Sequence, residues 1–262
     1  MKHQDKLQRL RQAGFFMKGA VYCILGALAA IAAFGAGGKV GGKEGVMHFL
    51  LQMPLGKILV GMVALGLAAY SLWRFYSAYQ DPRSDDDEKR WGAKLRYVYS
   101  GLFYGAIAYS FAKPLFSGSS SGGDKKKAML GKLLATDWGE WVIGAIALLV
   151  AGQAIFQFYI GYKGKFMKKI DDHPGSAYNW VKYIGRIGYY SRFVVFGILS
   201  YLLVRVILDN NADAYDGTKG VFYHLLSYDY GNVLMGAVAL GLLGYGIFSI
   251  LIARYSNLTK LA

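Results

Sequence analysis

The stretch Leu55–Arg74, LGKILVGMVALGLAAYSLWR, recurs twice in the chain. Gly139–Gln157 reads GEWVIGAIALLVAGQAIFQ, and Gly231–Ser249 reads GNVLMGAVALGLLGYGIFS. Without a gap, Gly56, Gly139 and Gly231 coincide, then Gly61, Gly144 and Gly236, then Ala64, Ala147 and Ala239, then the aromatics Trp73, Phe156 and Phe248. Self-similarity at this length marks a repeat, and it sets the unit in which everything else is read.

Outward from that block, the chain carries six apolar runs: Gly14–Phe34, Ile58–Tyr79, Tyr97–Phe116, Trp141–Tyr162, Ile187–Leu208 and Asn232–Ala253. Hydrophobic residues make up 55% of the 262 and charged residues 18%, a balance that with such runs excludes an ordinary soluble domain. Each run has about 20 residues, enough for a helix rising roughly 1.5 Å per residue to cross a bilayer core. Strict two-residue alternation is absent, which excludes barrel strands. The first run is longer than a cleavable signal core and matches the first helix of the later units, so it is expected to be retained.

Each unit has the same plan: a first helix, a short amphipathic turn, and the Gly-opened second helix. Tyr104 aligns with Tyr22 and Gly188 with Gly14; the short turns are Gly45–Leu51, Ala128–Leu134 and Gly220–Ser227. An even number of spans per unit makes the units parallel, related by an axis along the membrane normal. The predicted fold is an all-α membrane protein of six transmembrane helices, as three two-helix repeats around a pseudo-threefold axis, with short amphipathic helices on the outer side. The boundaries are a basic arm 1–12, repeat 1 at 13–80, a link 81–94, repeat 2 at 95–166, a basic link 167–183, repeat 3 at 184–255 and a tail 256–262.

The net charge is +14, and its placement carries more than its sum. With the amino terminus inside, 20 of the 30 Lys and Arg fall on the inner segments and helix ends. That bias predicts a multi-pass membrane protein with both termini cytoplasmic. The basic inner face suits anionic lipid head groups. Nucleic acid is not expected, since no aromatic-rich binding module accompanies the charge. Cys23, the single cysteine, reads as a small buried hydrophobe.

The aromatic-Gly first helix, the short amphipathic turn and the block PLGKILVGMVALGLAAYSLWR together resemble the bacterial Domain of Unknown Function 1206 family, over about residues 9–255. The resemblance implies three two-helix units in a bacterial membrane and supplies no activity. The second unit departs most. Arg96 stands where Gly14 and Gly188 do, Leu149 replaces Gly66 and Gly241, and Gln153 replaces Tyr70 and Tyr245.

Three groups of residues are candidates. Gly56, Gly61, Gly66, Gly139, Gly144, Gly231, Gly236 and Gly241 read as helix-packing positions, because small residues let backbones approach in lipid; the sharper reading is unwound hinges at a substrate site. Lys18, Arg74 and Arg192 lie in apolar runs near the inner boundary, where they either snorkel or bind an anion or lipid phosphate. Lys18 and Arg192 occupy matching positions, with Ser100 between them in the series. Tyr70, Gln153 and Tyr245 align in the inner half of the second helices and either hydrogen-bond across the bundle or line a central pocket.

No metal-ligand spacing, acid–base carboxylate pair or Walker loop occurs, so no cofactor and no enzyme is expected. Gly118–Gly122 matches Gly-x-Ser-x-Gly in letters only, in a flexible Ser/Gly loop without the strand and helix of a nucleophile elbow. The expected function is a non-enzymatic accessory or scaffold subunit binding lipids or membrane-protein partners. The alternative is a small carrier or channel, favoured by a polar cavity around Tyr70, Gln153 and Tyr245 and excluded by an axis filled with Leu, Ala and Gly.

Overall fold

The computed structural model describes residues 2–34, 43–52, 55–79, 87–117, 122–169 and 178–255. Outside them lie the Gly-rich stretch 35–42, Pro54, the start of the acidic run, the Gly-x-Ser-x-Gly loop, the turn around His173 and the tail. Among the described residues every long element is an α-helix: α1 (Lys2–Ala33), α2 (Lys43–Gln52), α3 (Gly56–Tyr79), α4 (Asp87–Ser117), α5 (Gly122–Leu134), α6 (Gly139–Lys163), α7 (Tyr178–Leu208), α8 (Gly217–Leu226) and α9 (Gly231–Tyr255). The three short helices α2, α5 and α8 each precede a Gly-opened long helix, as the repeat demands.

The first helices start earlier than their apolar runs. α1 begins at Lys2 and α4 at Asp87, so the basic arm and part of the first link are helical. Lys, Gln, Leu and Arg dominate residues 2–12, with no Gly or Pro before Gly14, so nothing stops the helix from extending.

Among the described residues five helices are long and apolar enough to cross a membrane: α1 from Gln12, then α3, α6, α7 and α9. α4 is longer than most of these but carries Tyr97, Tyr99, Tyr104, Tyr109 and Lys113 through its apolar run, and these polar tips dilute it. The protein is an all-helical membrane protein with internal repeats.

The largest interfaces join one unit to the next: α3 on α4, α6 on α7, and α9 back onto α1. At the last of these the backbones touch. A Cβ on Gly26 would stand 2.7 Å from the Ala239 carbonyl oxygen, and one on Gly246 would stand 2.7 Å from that of Gly19. Close approach of this kind replaces the hydrophobic drive that lipid removes. Cys23 sits in the same seam, its Sγ 3.8 Å from the Leu243 carbonyl.

Within units the behaviour divides. α1 lies along α3 and α7 along α9, whereas α4 and α6 make at most marginal contact. Accordingly α6 is the least buried span: 22% of its most apolar stretch is buried, against 44% in α1, α3 and α7 and 61% in α9. Its buried Ile143 and Ala147 join Leu203 and Val206 of α7 in a small cluster of their own, apart from the main core around Leu25, Leu67, Phe111, Met235 and Phe248. α6 therefore hangs on α7 and leaves its other flank open.

The short helices dock their apolar faces on the ends of the long ones. Val46 of α2 and Val221 and Phe222 of α8 are fully buried. On the exposed side of α7, Arg205 pairs with Asp209 one turn on, Nη2 to Oδ2 at 2.6 Å.

Candidate functional site

The glycines explain why one unit differs. A Cβ on Gly14 of α1 would lie 2.7 Å from Tyr70 Cα of α3, and one on Gly188 of α7 would lie 2.7 Å from Tyr245 Cα of α9. Gly66 likewise accommodates Met17, and Gly241 accommodates Ser191. In units 1 and 3 these glycine pairs let the two long helices touch. In unit 2 the same positions hold Arg96 and Leu149, and a side chain at each keeps α4 from lying against α6.

The gap is a cavity of about 70 Å³ to which all six long helices contribute. α1 supplies Lys18, α3 Tyr70 and Arg74, α7 Tyr189 and Arg192, and α9 Tyr245. The remaining walls are α4 (Arg96, Ser100, Phe103, Tyr104) and α6 (Gln153, Phe156, Gln157, Ile160). Unit 2 makes the room by being smaller: Ser100 stands where the other units put Lys18 and Arg192, and Gln153 where they put Tyr70 and Tyr245. On the same measure a water molecule needs roughly 10–15 Å³, so several waters or one small oxyanion fit.

The charges are held by rings rather than by carboxylates. Lys18 Nζ lies 4.9–5.6 Å from the ring centres of Phe15, Tyr70, Tyr104 and Tyr245. The Arg192 guanidinium lies 4.4 Å from the Tyr245 ring, 5.2 Å from Phe196 and 5.3 Å from Tyr22. Both side chains are only 5% exposed. Desolvated cation–π contacts of this kind are attractive but do not neutralise charge. Among the described lining residues there is no Asp or Glu.

Hydrogen bonds fix the two arginines. Arg192 Nη1 donates to the Tyr245 hydroxyl. Arg74 donates from Nε (2.9 Å) and Nη2 (2.6 Å) to the Tyr70 hydroxyl. Among the described residues three buried polar atoms remain without a protein partner: Arg192 Nε, a donor, Gln157 Oε1, an acceptor, and the Tyr104 hydroxyl. A buried polar atom left unpaired costs about 1–3 kcal/mol, which a ligand that pairs it returns. Arg96, exposed at the edge, points its guanidinium at Phe156 of α6 from 5.2 Å.

The candidates thus fall in different places. Lys18, Arg74, Arg192, Tyr70, Gln153 and Tyr245 converge on one cavity. The glycines split three ways. A Cβ on Gly56, Gly139 or Gly231 would run into the end of the preceding short helix: Leu51 O at 2.7 Å for Gly56, Leu133 O for Gly139 and Leu226 Cα at 2.6 Å for Gly231. Gly61, Gly144 and Gly236 face the far end of the next unit's first helix with more room, at Leu115, Ile207 and Phe34. Gly66 and Gly241 close their own units. Gln157, Tyr104 and Tyr189 were not singled out by residue type; their signal is alignment with Arg74, which lines the cavity, and with Tyr22 and Phe15, whose rings lie against its cations Arg192 and Lys18. Among the described residues no group of three or more His, Cys, Asp or Glu assembles to hold a metal.

Comparison with known proteins agrees with the repeat. The family model described as Domain of Unknown Function (DUF1206) matches three times, at residues 13–81, 95–164 and 187–256. The chain is 28% identical over 256 residues to "Uncharacterized protein YxxB" of Bacillus subtilis (strain 168), covering 97% of this chain and 92% of that protein. No solved structure matches. Three successive matches that take in most of the sequence place the chain in the DUF1206 family.

Proposed function

We propose that the protein is a non-enzymatic membrane protein that binds an oxyanion, phosphate or carboxylate in chemistry, in the cavity between its six long helices. The observation that carries this is the lining: Lys18, Arg74, Arg96 and Arg192 around one space with no described carboxylate. Like charges gathered in a low-dielectric interior repel unless a counter-charge joins them, so the arrangement is complementary to an anion.

The wider setting of this reading is six spans in three parallel units about a pseudo-threefold axis. It stands in the bacterial cytoplasmic membrane, with both termini and the basic links on the cytoplasmic side. The packing of each second helix on the next first helix, with α9 closing on α1, supports that arrangement. An accessory role beside another membrane protein fits the same reading, with the bound anion as a structural ligand.

A second reading, a carrier for the anion, is favoured by one specific observation: the cavity belongs to every long helix rather than to one seam. Opposed movements of the units would then expose it in turn.

The test is titration of the purified protein, in nanodiscs of neutral lipid, with inorganic phosphate at constant ionic strength. Phosphate raises the unfolding temperature of the wild type by mass action. Arg192→Gln and Lys18→Met lose that response. An equal response in the variants, or none in the wild type, overturns the proposal; phosphate uptake into proteoliposomes separates the carrier from the static binder.

A further inference from the structure

The geometry points to a lipid as the anion's source: we propose that the cavity takes the headgroup of an anionic phospholipid bearing free hydroxyls, with its acyl chains leaving sideways between α4 and α6. This rests on the oxyanion reading of the cavity and adds to it the class of molecule and its route.

The route follows from register. Leu149 occupies the turn of α6 that corresponds to Gly66 of α3 and Gly241 of α9. Those two glycines are buried against the first helix of their own unit. Leu149 is 62% exposed, so at this turn the flank of α6 that corresponds to the closed seams of the other units is left open among the described residues. In a membrane, an apolar flank open at that depth is wet by acyl chains, and the parting between α4 and α6 connects them to the cavity.

The two ends of the space match the two ends of a lipid. Its deep part is polar, with Lys18 and Arg192 each 5% exposed and the Arg192 Nε donor unpaired. On the unit 2 side Phe103, Phe156 and Ile160 interrupt the polar wall of Arg96, Ser100, Gln153 and Gln157, and these apolar faces suit the glycerol and first methylenes. A soluble anion would leave those three apolar side chains unused.

Headgroup class follows from the same atoms. Four cations disfavour a zwitterionic headgroup, because its ammonium would enter beside like charges. Gln157 Oε1, 3% exposed by residue and without a donor, is placed for a headgroup hydroxyl. A phosphoglycerol headgroup supplies both the phosphate and the hydroxyl.

Native mass spectrometry of the full chain, delipidated in detergent, tests this with phosphatidylglycerol, phosphatidylcholine and inorganic phosphate as probes. The expected result is one phosphatidylglycerol bound per chain, preferred over phosphatidylcholine by at least about tenfold. Inorganic phosphate competes it off. Arg192→Gln and the cavity-filling Ser100→Trp each weaken it by about tenfold or more. Phosphate protecting the wild type while phosphatidylglycerol binds no better than phosphatidylcholine overturns the lipid assignment and leaves the anion cavity standing. Phosphatidylglycerol that phosphate does not displace places the lipid elsewhere and likewise overturns the assignment; that arm uses the wild type alone and does not depend on either variant folding. Loss of both phosphate and lipid binding overturns both proposals together.

Discussion

Arg96 on α4 holds its guanidinium 5.2 Å from the centre of the Phe156 ring on α6, from the position at which Gly14 and Gly188 bring the other units together backbone to backbone. One side chain thus replaces a helix contact with a bridge across a gap. The rest of the cavity follows from what that gap exposes.

Glycine positions separate cleanly by what surrounds them. Gly14→Ala and Gly188→Ala force a methyl into Tyr70 and Tyr245 backbone and should cost about 1–3 kcal/mol as overpacking. Gly152 of α6 has nothing within 4 Å, so Gly152→Ala should instead stabilise by about 0.5–1 kcal/mol, through lower backbone entropy in the unfolded chain. Denaturant unfolding in a fixed detergent checks both signs in one series.

Buried cations without carboxylates make the ligand-free protein less stable than it need be. Lys18→Met keeps the volume and removes one of the like charges in the cavity. It is expected to raise ligand-free stability by about 1–2 kcal/mol, since apolar replacements of buried ionic groups are often stabilising. The same variant should lose its stabilisation by phosphate. A Lys18→Met protein that is less stable than wild type in neutral lipid contradicts the account of the charges.

The Tyr245 hydroxyl accepts from Arg192, and removing it leaves a second guanidinium N–H unpaired. Tyr245→Phe should therefore cost about 1–3 kcal/mol, and combining it with Arg192→Gln should cost less than the sum of the two. Thermal unfolding of the four proteins closes the cycle; strict additivity would show that the two side chains do not act together.

Much of this was legible in the sequence. The repeat gave the unit, the glycine-opened helices and the three short helices, because a repeated hydrophobic pattern has one structural solution per copy. The alignment also marked Arg96, Leu149 and Gln153 as departures. What the letters do not carry is consequence: Gly66 and Gly241 close units, whereas Gly56 and Gly231 seat a long helix against the short helix before it, and all four look alike in a string. That Lys18 and Arg192 lie inside the bundle rather than at the lipid headgroups depends on which way their helices face. α4 escaped the pattern for a related reason, since tyrosines such as Tyr104 lower its apolarity while facing the interior.

The central claim is that unit 2 stands open where units 1 and 3 are closed, and the repeat supplies its own controls. Spin labels at Leu102 of α4 and Leu148 of α6 occupy the places that Ala20 and Leu65 hold in unit 1 and that Val194 and Leu240 hold in unit 3. With Cys23 replaced by Ala, pulsed electron–electron distance measurements in neutral nanodiscs compare the three pairs directly. A longer separation for the Leu102–Leu148 pair than for either counterpart is the predicted result, shortening when Arg96→Gly and Leu149→Gly restore the glycines. Equal separations in all three units, unchanged by that double substitution, would contradict it.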